Sequence, residues 1–120
     1  MPNTDLIKTC LSSGTIAPYR IVAHGSADHE VAQAASATAA LMGTAMELGT
    51  ESNGRVDVAI SALPLVEYGG DVVRGDPLTS DANGKAIKAT VSGSRLIGFA
   101  WVSASAGDIA EYQHSLGILP

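Results

Sequence analysis

The chain has 120 residues, enough to bury one core but not two. Only 16% of the residues are charged, below the roughly 25% of an ordinary soluble domain, and the formal net charge is −5. The cations are dispersed as Lys8, Arg20, Arg55, Arg74, Lys85, Lys88 and Arg95, so no basic stripe is available for a nucleic-acid backbone or an anionic membrane surface.

The opening Met-Pro-Asn-Thr-Asp lacks the basic and apolar regions of a secretory signal, so synthesis in a cytoplasm is expected. Cys10, the one cysteine, excludes an internal disulfide and fits a reducing compartment. Residues 1–13 show no clean periodicity beyond Leu6, Ile7 and Leu11. They read as an extended N-terminal arm ahead of a single domain at 14–120. After Pro18 the pattern becomes period two, with Tyr19, Ile21 and Ala23 on one face and Arg20, Val22 and His24 on the other. Gly25-Ser26-Ala27-Asp28 is a turn, and a short strand led by Val31 follows. Segment 32–48 is ambiguous. Its alanines favour helix, whereas Ser36, Thr38, Gly43 and Gly49 oppose one. A loop or short helix at 34–40 and a strand at 42–48 are predicted.

Glu51-Ser-Asn-Gly-Arg55 is a hairpin signal, and it opens onto an alternation that turns Val56, Val58 and Ile60 inward. Leu65 continues as a strand, with Pro64 marking an edge or a strand start. Turn chemistry then dominates at Gly69-Gly70, Gly75-Asp76-Pro77 and Asn83-Gly84. Val72, Leu78 and Ile87 are the apolar residues between those turns. The run from Leu96 to Val102 is apolar on both faces, with Ile97 and Phe99 expected inside. Such a strand is central, or its outer face meets a partner. Gly98 within it marks a bend or a close backbone approach. Gly107-Asp108 makes a last turn. Short strands at regular spacing with turn signals between them predict an all-β fold: a small single-domain β-barrel or sandwich of short antiparallel strands.

Residues with chemical potential are few. His24, Asp28, His29 and Glu30 have ligand types but not the spacing of a zinc site, so no metal or other cofactor is expected. A Ser26, His29 and Asp57 triple is drawn easily by chance, because no motif frames the serine as a nucleophile. Cys10 reads as a buried or interface thiol, and Arg74-Gly75-Asp76 reads as a turn. No catalytic residue emerges, and the chain is not expected to be an enzyme. Mean hydropathy is +0.21 and aromatics make up 4% of the chain. A lean core with few surface charges points to apolar surface covered by a partner.

The run Gly75-Asp-Pro-Leu-Thr-Ser-Asp-Ala-Asn-Gly-Lys-Ala86, followed by Ile97-Gly-Phe-Ala100 and Ala106-Gly-Asp108, resembles the capsid decoration (cement) proteins of tailed bacteriophages. The specific part of the match lies within 66–108. The resemblance implies an outer-capsid protein made in the host bacterial cytoplasm. It further implies binding to the major capsid protein and to copies of itself as a dimer or trimer at symmetry axes, which stabilises the DNA-filled head. Under that reading, Gly69, Gly70, Gly75, Asp76, Asn83, Gly84, Gly107 and Asp108 are structural turns. An arm over 1–13 reaches about 40 Å when extended, so Leu6, Ile7 and Leu11 are candidate capsid contacts. The alternative is a head-fibre or receptor module binding a glycan, which exposed aromatic side chains would favour. A small ligand-binding enzyme subunit is a third reading, disfavoured by the missing polar constellation.

Overall fold

The computed structural model describes residues 6–120, and these contain ten β-strands and no α-helix. The first five strands are β1 (Ile7–Ser12), β2 (Ile21–His24), β3 (Glu30–Gln33), β4 (Leu41–Ala45) and β5 (Arg55–Ala59). They close into a barrel in the order β1-β3-β2-β4-β5. The next five are β6 (Leu65–Glu67), β7 (Pro77–Ser80), β8 (Ala86–Lys88), β9 (Arg95–Ala100) and β10 (Ile109–Ile118). These form a second sheet in the order β6-β10-β9-β7-β8. A bridge from Tyr68, just beyond β6, to Ala86 in β8 joins the two ends of that sheet.

Two apolar clusters result. Inside the barrel lie Cys10, Ile16, Val22, Val31, Ala45, Val56 and Val58. Between barrel and sheet lie Ile21, Ala23, Leu41, Val66, Tyr68, Val72, Leu78, Ile97 and Tyr112, with several alanines. β2 therefore buries both faces: Val22 points into the barrel, while Ile21 and Ala23 point at the sheet. The alternation expected at Val56 and Val58 is present, and both are fully buried.

Several expectations need correction. Residues 7–12 are not an arm, because β1 closes the barrel. It pairs antiparallel with β5 from Ile7↔Ala59 to Leu11↔Arg55, and parallel with β3 at Leu11↔Glu30 and Ser12↔Val31. The strand is hard to read because its inward position is Cys10, whereas the apolar Ile7 and Leu11 face outward with Thr9. Met1–Asp5, the rest of the expected arm, lie outside the described residues. Residues 34–40 are a loop, and the helix alternative fails. Its backbone is used elsewhere: Ala34 N–H donates to Ile21 O at 2.9 Å, and Ala37 O accepts from Arg95 N–H at 2.7 Å. Such tertiary bonds override alanine's helix propensity. Phe99, expected inside, is 37% exposed, and Ile60, Leu65 and Ile87 are only half-buried. Leu96, Ile97 and Ala100 of β9 are buried, so the strand is covered on both faces, and so is Gly98 between them. A Cβ there would collide with the Gln113 carbonyl oxygen, so only glycine allows β9 and β10 to approach this closely.

The Asn83-Gly84 turn connects β7 and β8 through residues 81–85 rather than through two residues alone. Asp81 Oδ1 accepts from Asn83 N–H at 2.8 Å and Lys85 N–H at 2.9 Å, holding the loop from within. Gly84 has φ +75°, and its carbonyl accepts from Ile21 N–H at 2.7 Å, the point where β2 begins. A Cβ at this position would lie 3.1 Å from Ile21 O and 2.9 Å from Gln33 Cγ. Gly84→Val combines left-handed strain with these clashes. It should destabilise the domain by about 1–3 kcal/mol. Chemical denaturation would measure this, and an unchanged midpoint would refute the role given to the turn. Deleting residues 6–12 should abolish cooperative thermal unfolding, because β3 and β5 lose their shared neighbour and the barrel core opens. A truncated protein melting like the intact one would show that β1 is dispensable.

Candidate functional site

The catalytic and metal candidates do not assemble. His24, His29, Cys10, Lys8, Glu30 and Met42 border one recess of about 180 Å³. Among the described residues, however, no group of three or more His, Cys, Asp or Glu side chains is placed to hold a metal ion. Ser26 Oγ donates to Glu30 Oε1 at 3.0 Å instead of to His29. Asp57 Oδ1 accepts from Thr9 Oγ1 at 2.7 Å across the β1–β5 pair. The drawn triple therefore has no hydrogen-bonded chain. Burial pushes the Cys10 thiol up, which disfavours the thiolate.

Of the residues named as turns from sequence, Gly75, Asn83 and Gly107 lie in turns and Gly70 and Gly84 in bends, whereas Gly69 N–H donates to Ala86 O at 2.8 Å beside β8. Asp76 Oδ2 accepts from Val73 N–H at 2.9 Å, and Asp108 Oδ2 accepts from Ser105 N–H at 2.9 Å. In both cases a carboxylate reaches back three residues and fixes the loop that carries Gly75 or Gly107. Gly69 packs so closely that an added Cβ would lie 2.6 Å from Asp81 Oδ2. Gly70 has room for one, with Ile87 Cγ2 nearest at 3.8 Å.

Two surfaces remain as candidates. The first is the outer side of β1 together with Leu6 just ahead of it, where Leu6, Ile7 and Leu11 are 53%, 46% and 45% exposed. Thr9 lies between them, tied to Asp57. This barrel wall is rigid because β1 is bonded on both edges. The second belongs to the other sheet. There Phe99, Ala100, Trp101, Gln113, Arg74 and Gly75 line a cleft of about 380 Å³. Sequence reasoning missed this cleft by placing Phe99 inside. The available signal was the apolar character of both faces of 96–102, which left an outward face to explain.

Between the two surfaces the layers are joined by buried polar contacts. The Tyr112 hydroxyl and Thr44 Oγ1 share a hydrogen bond of 3.2 Å across the layers, while the Tyr68 hydroxyl donates to Glu111 O at 2.9 Å within the second sheet. Burial pushes the Tyr68 phenol up to about 12 and that of Tyr112 upward as well. His114 Nε2 lies 3.0 Å from Met42 O, so a neutral ring with a proton on Nε2 can donate across the junction.

No family model matches this chain, and no curated protein matches it. Among solved structures, the head fibre gp8.5 N base of bacteriophage phi29 is similar, with a TM-score of 0.71 and 23% sequence identity. The match covers 96% of this chain and 98% of that one. What the two share is a fold. The small single all-β domain expected from the turn pattern is therefore also built by a sequence that differs at most positions.

The junction has a pH signature. Burial lowers the His114 pKa from its ordinary value, opposed by the Met42 carbonyl. The unfolded chain thus binds the proton more readily than the folded one, so the contribution to stability is complete above about pH 6.5 and declines as pH falls below it. The melting temperature should drop between pH 7.5 and pH 5. His114→Gln, which retains a donor for Met42, should flatten that drop. An identical pH profile for the variant would exclude His114 as the cause.

Proposed function

We propose that the protein is a structural component of a bacteriophage virion, seated on the outer surface of the head and bound to the major capsid protein. The observation that carries this reading is the match, over almost the full length of both chains, to the base of a phage head fibre. The resemblance of the turn phrases to capsid decoration proteins supports it independently. Under this proposal the protein has no catalytic step. It acts as a cement, bridging capsid subunits and adding contacts that oppose internal pressure, with further copies of itself at the same symmetry axis. A second reading, a base that anchors a head fibre, is favoured by the identity of the solved neighbour.

The proposed contact is the outer row of β1. A prefolded barrel wall loses little conformational entropy on docking. Leu6, Ile7 and Leu11 each have about half of their surface left to bury. Full burial of such side chains is worth about 1.5–3 kcal/mol each, so completing it for three could contribute about 2–4 kcal/mol. At about 1.4 kcal/mol per tenfold, loss of this contact should be plain in an occupancy measurement.

Purified protein should co-sediment with isolated, expanded, undecorated heads. The Leu6→Ser, Ile7→Ser, Leu11→Ser triple variant should remain folded and lower occupancy at least tenfold. Failure of the intact protein to bind any heads of its own phage would overturn the proposal. Heating the heads separates the two readings. A cement raises the temperature of DNA release, whereas a fibre base leaves it unchanged.

A further inference from the structure

We propose that the Phe99–Trp101–Arg74 cleft binds an acidic sugar, a pyranose residue bearing a carboxylate, as part of a surface glycan. This goes beyond attachment to a head and uses the opposite layer of the domain. β1 pairs only with strands of the barrel, whereas the cleft is built on β9, β10 and the loop ahead of β7.

The aromatic pair comes first. Phe99 and Trp101 are two residues apart at the end of β9 and are 37% and 47% exposed, in a chain with only five aromatic residues, one of them Trp. The other aromatic residues are used inside or in turns: Tyr68 and Tyr112 are fully buried and hydrogen-bonded, and Tyr19 sits in a left-handed turn. Two large rings left in water at one place are costly unless something covers them. The negative face of an aromatic ring suits the electropositive C–H face of a pyranose. That contact is flat and open, like the cleft.

Arg74 supplies the charge. The ion pairs among the described residues use Arg20, Lys85 and Lys88 and leave Arg74 out. Asp76, the nearest acid in sequence, is already engaged: Oδ2 accepts from Val73 N–H at 2.9 Å and Oδ1 lies 3.9 Å from Lys88 Nζ. Arg74 lines the cleft, and its guanidinium is in no ion pair among the described residues, in a protein of net charge −5. It matches a carboxylate in a bidentate geometry that lysine cannot reproduce. A nucleic acid is a poorer fit, because a lone cation cannot follow a phosphate backbone.

The site is also held in place. Gly75 N–H donates to Ala100 O at 2.8 Å and Ala100 N–H donates to Asp76 O at 2.9 Å. Arg74 N–H donates to Ser103 Oγ at 3.1 Å. The turn carrying the cation is thus bonded to the end of the strand carrying the rings. Gln113, opposite Phe99 in the β9–β10 register, also lines the cleft, and its amide is of a type that pairs with a sugar hydroxyl. Few groups need ordering on binding, which favours affinity for a small ligand.

Trp101 is the chain's one tryptophan, so its fluorescence reports this cleft alone. Titration of the full chain with trigalacturonate and with 3′-sialyllactose should shift that emission with at least one of the two. The neutral galactose trimer should bind about tenfold more weakly or not at all, as expected for loss of a charge-assisted pair. Arg74→Gln should remove the preference for the acidic sugar, and Phe99→Ala should weaken both sugars, with melting temperatures unchanged in each case. No emission change with either acidic probe at tens of millimolar would overturn the proposal. Equal binding of neutral and acidic trimers would also overturn it. An emission shift that follows protein concentration without sugar would assign the cleft to a second copy. Loss of head occupancy in Arg74→Gln would assign it to the capsid. Retained head binding together with lost sugar binding separates this site from the β1 surface.

Discussion

The arrangement depends on two strands that serve two cores. β2 places Val22 in the barrel and Ile21 and Ala23 against the second sheet, and β4 does the same with Ala45 and Leu41. A strand buried on both faces cannot shift register by one residue without moving its side chains into the wrong core. Backbone and side-chain bonds fix that register further. Ile21 N–H is held by Gly84 O, Glu67 N–H by Tyr19 O, and Thr44 meets Tyr112 in the buried interior. Arg20 adds a partly buried pair with Glu67, which also meets Lys85 at 3.2 Å. Barrel and sheet are therefore one cooperative body, although each has its own strand order.

A second economy lies in the acids. With 16% charged residues, the chain spends several carboxylates on its own loops. Asp76, Asp81 and Asp108 each accept from backbone N–H groups of the turn they occupy. This explains why turn residues dominate the resemblance to decoration proteins. Gly-Asp and Asp-x-x-Gly-Lys are instructions for tight, self-bonded connections. They say how the sheet is folded back, and they are silent on what the surface touches.

Rigid turns and a doubly used core leave the functional load to exposed apolar groups. The outer row of β1 and the Phe99–Trp101 cleft lie on different layers, so an object docked through one leaves the other accessible. That geometry fits the head-surface role proposed above. Beside the Arg20–Glu67 pair, the junction between the layers carries buried groups that are neutral at physiological pH. The His114 imidazole and both buried tyrosines are held in uncharged forms by burial.

The sequence by itself determined the fold class, most strand positions and the turns, because period-two burial and φ-demanding residues are local properties. Val56 and Val58, the 83–84 turn and the close approach at Gly98 were legible for that reason. Only the tertiary structure decided the role of residues 7–12, the loop at 34–40 and the outward turn of Phe99. β1 joins the barrel through backbone bonds to β3 and β5, and its apolar side chains point away from the core, so its side-chain pattern conceals the pairing. The alanines at 34–40 lose their helical preference to bonds with β2 and β9, which no local rule can foresee. Phe99 faces outward although its β9 neighbours Ile97, Gly98 and Ala100 are buried, an environment that the packing around the whole strand decides. The cleft existed only once Arg74, Phe99 and Gln113, distant in sequence, were brought together by the sheet.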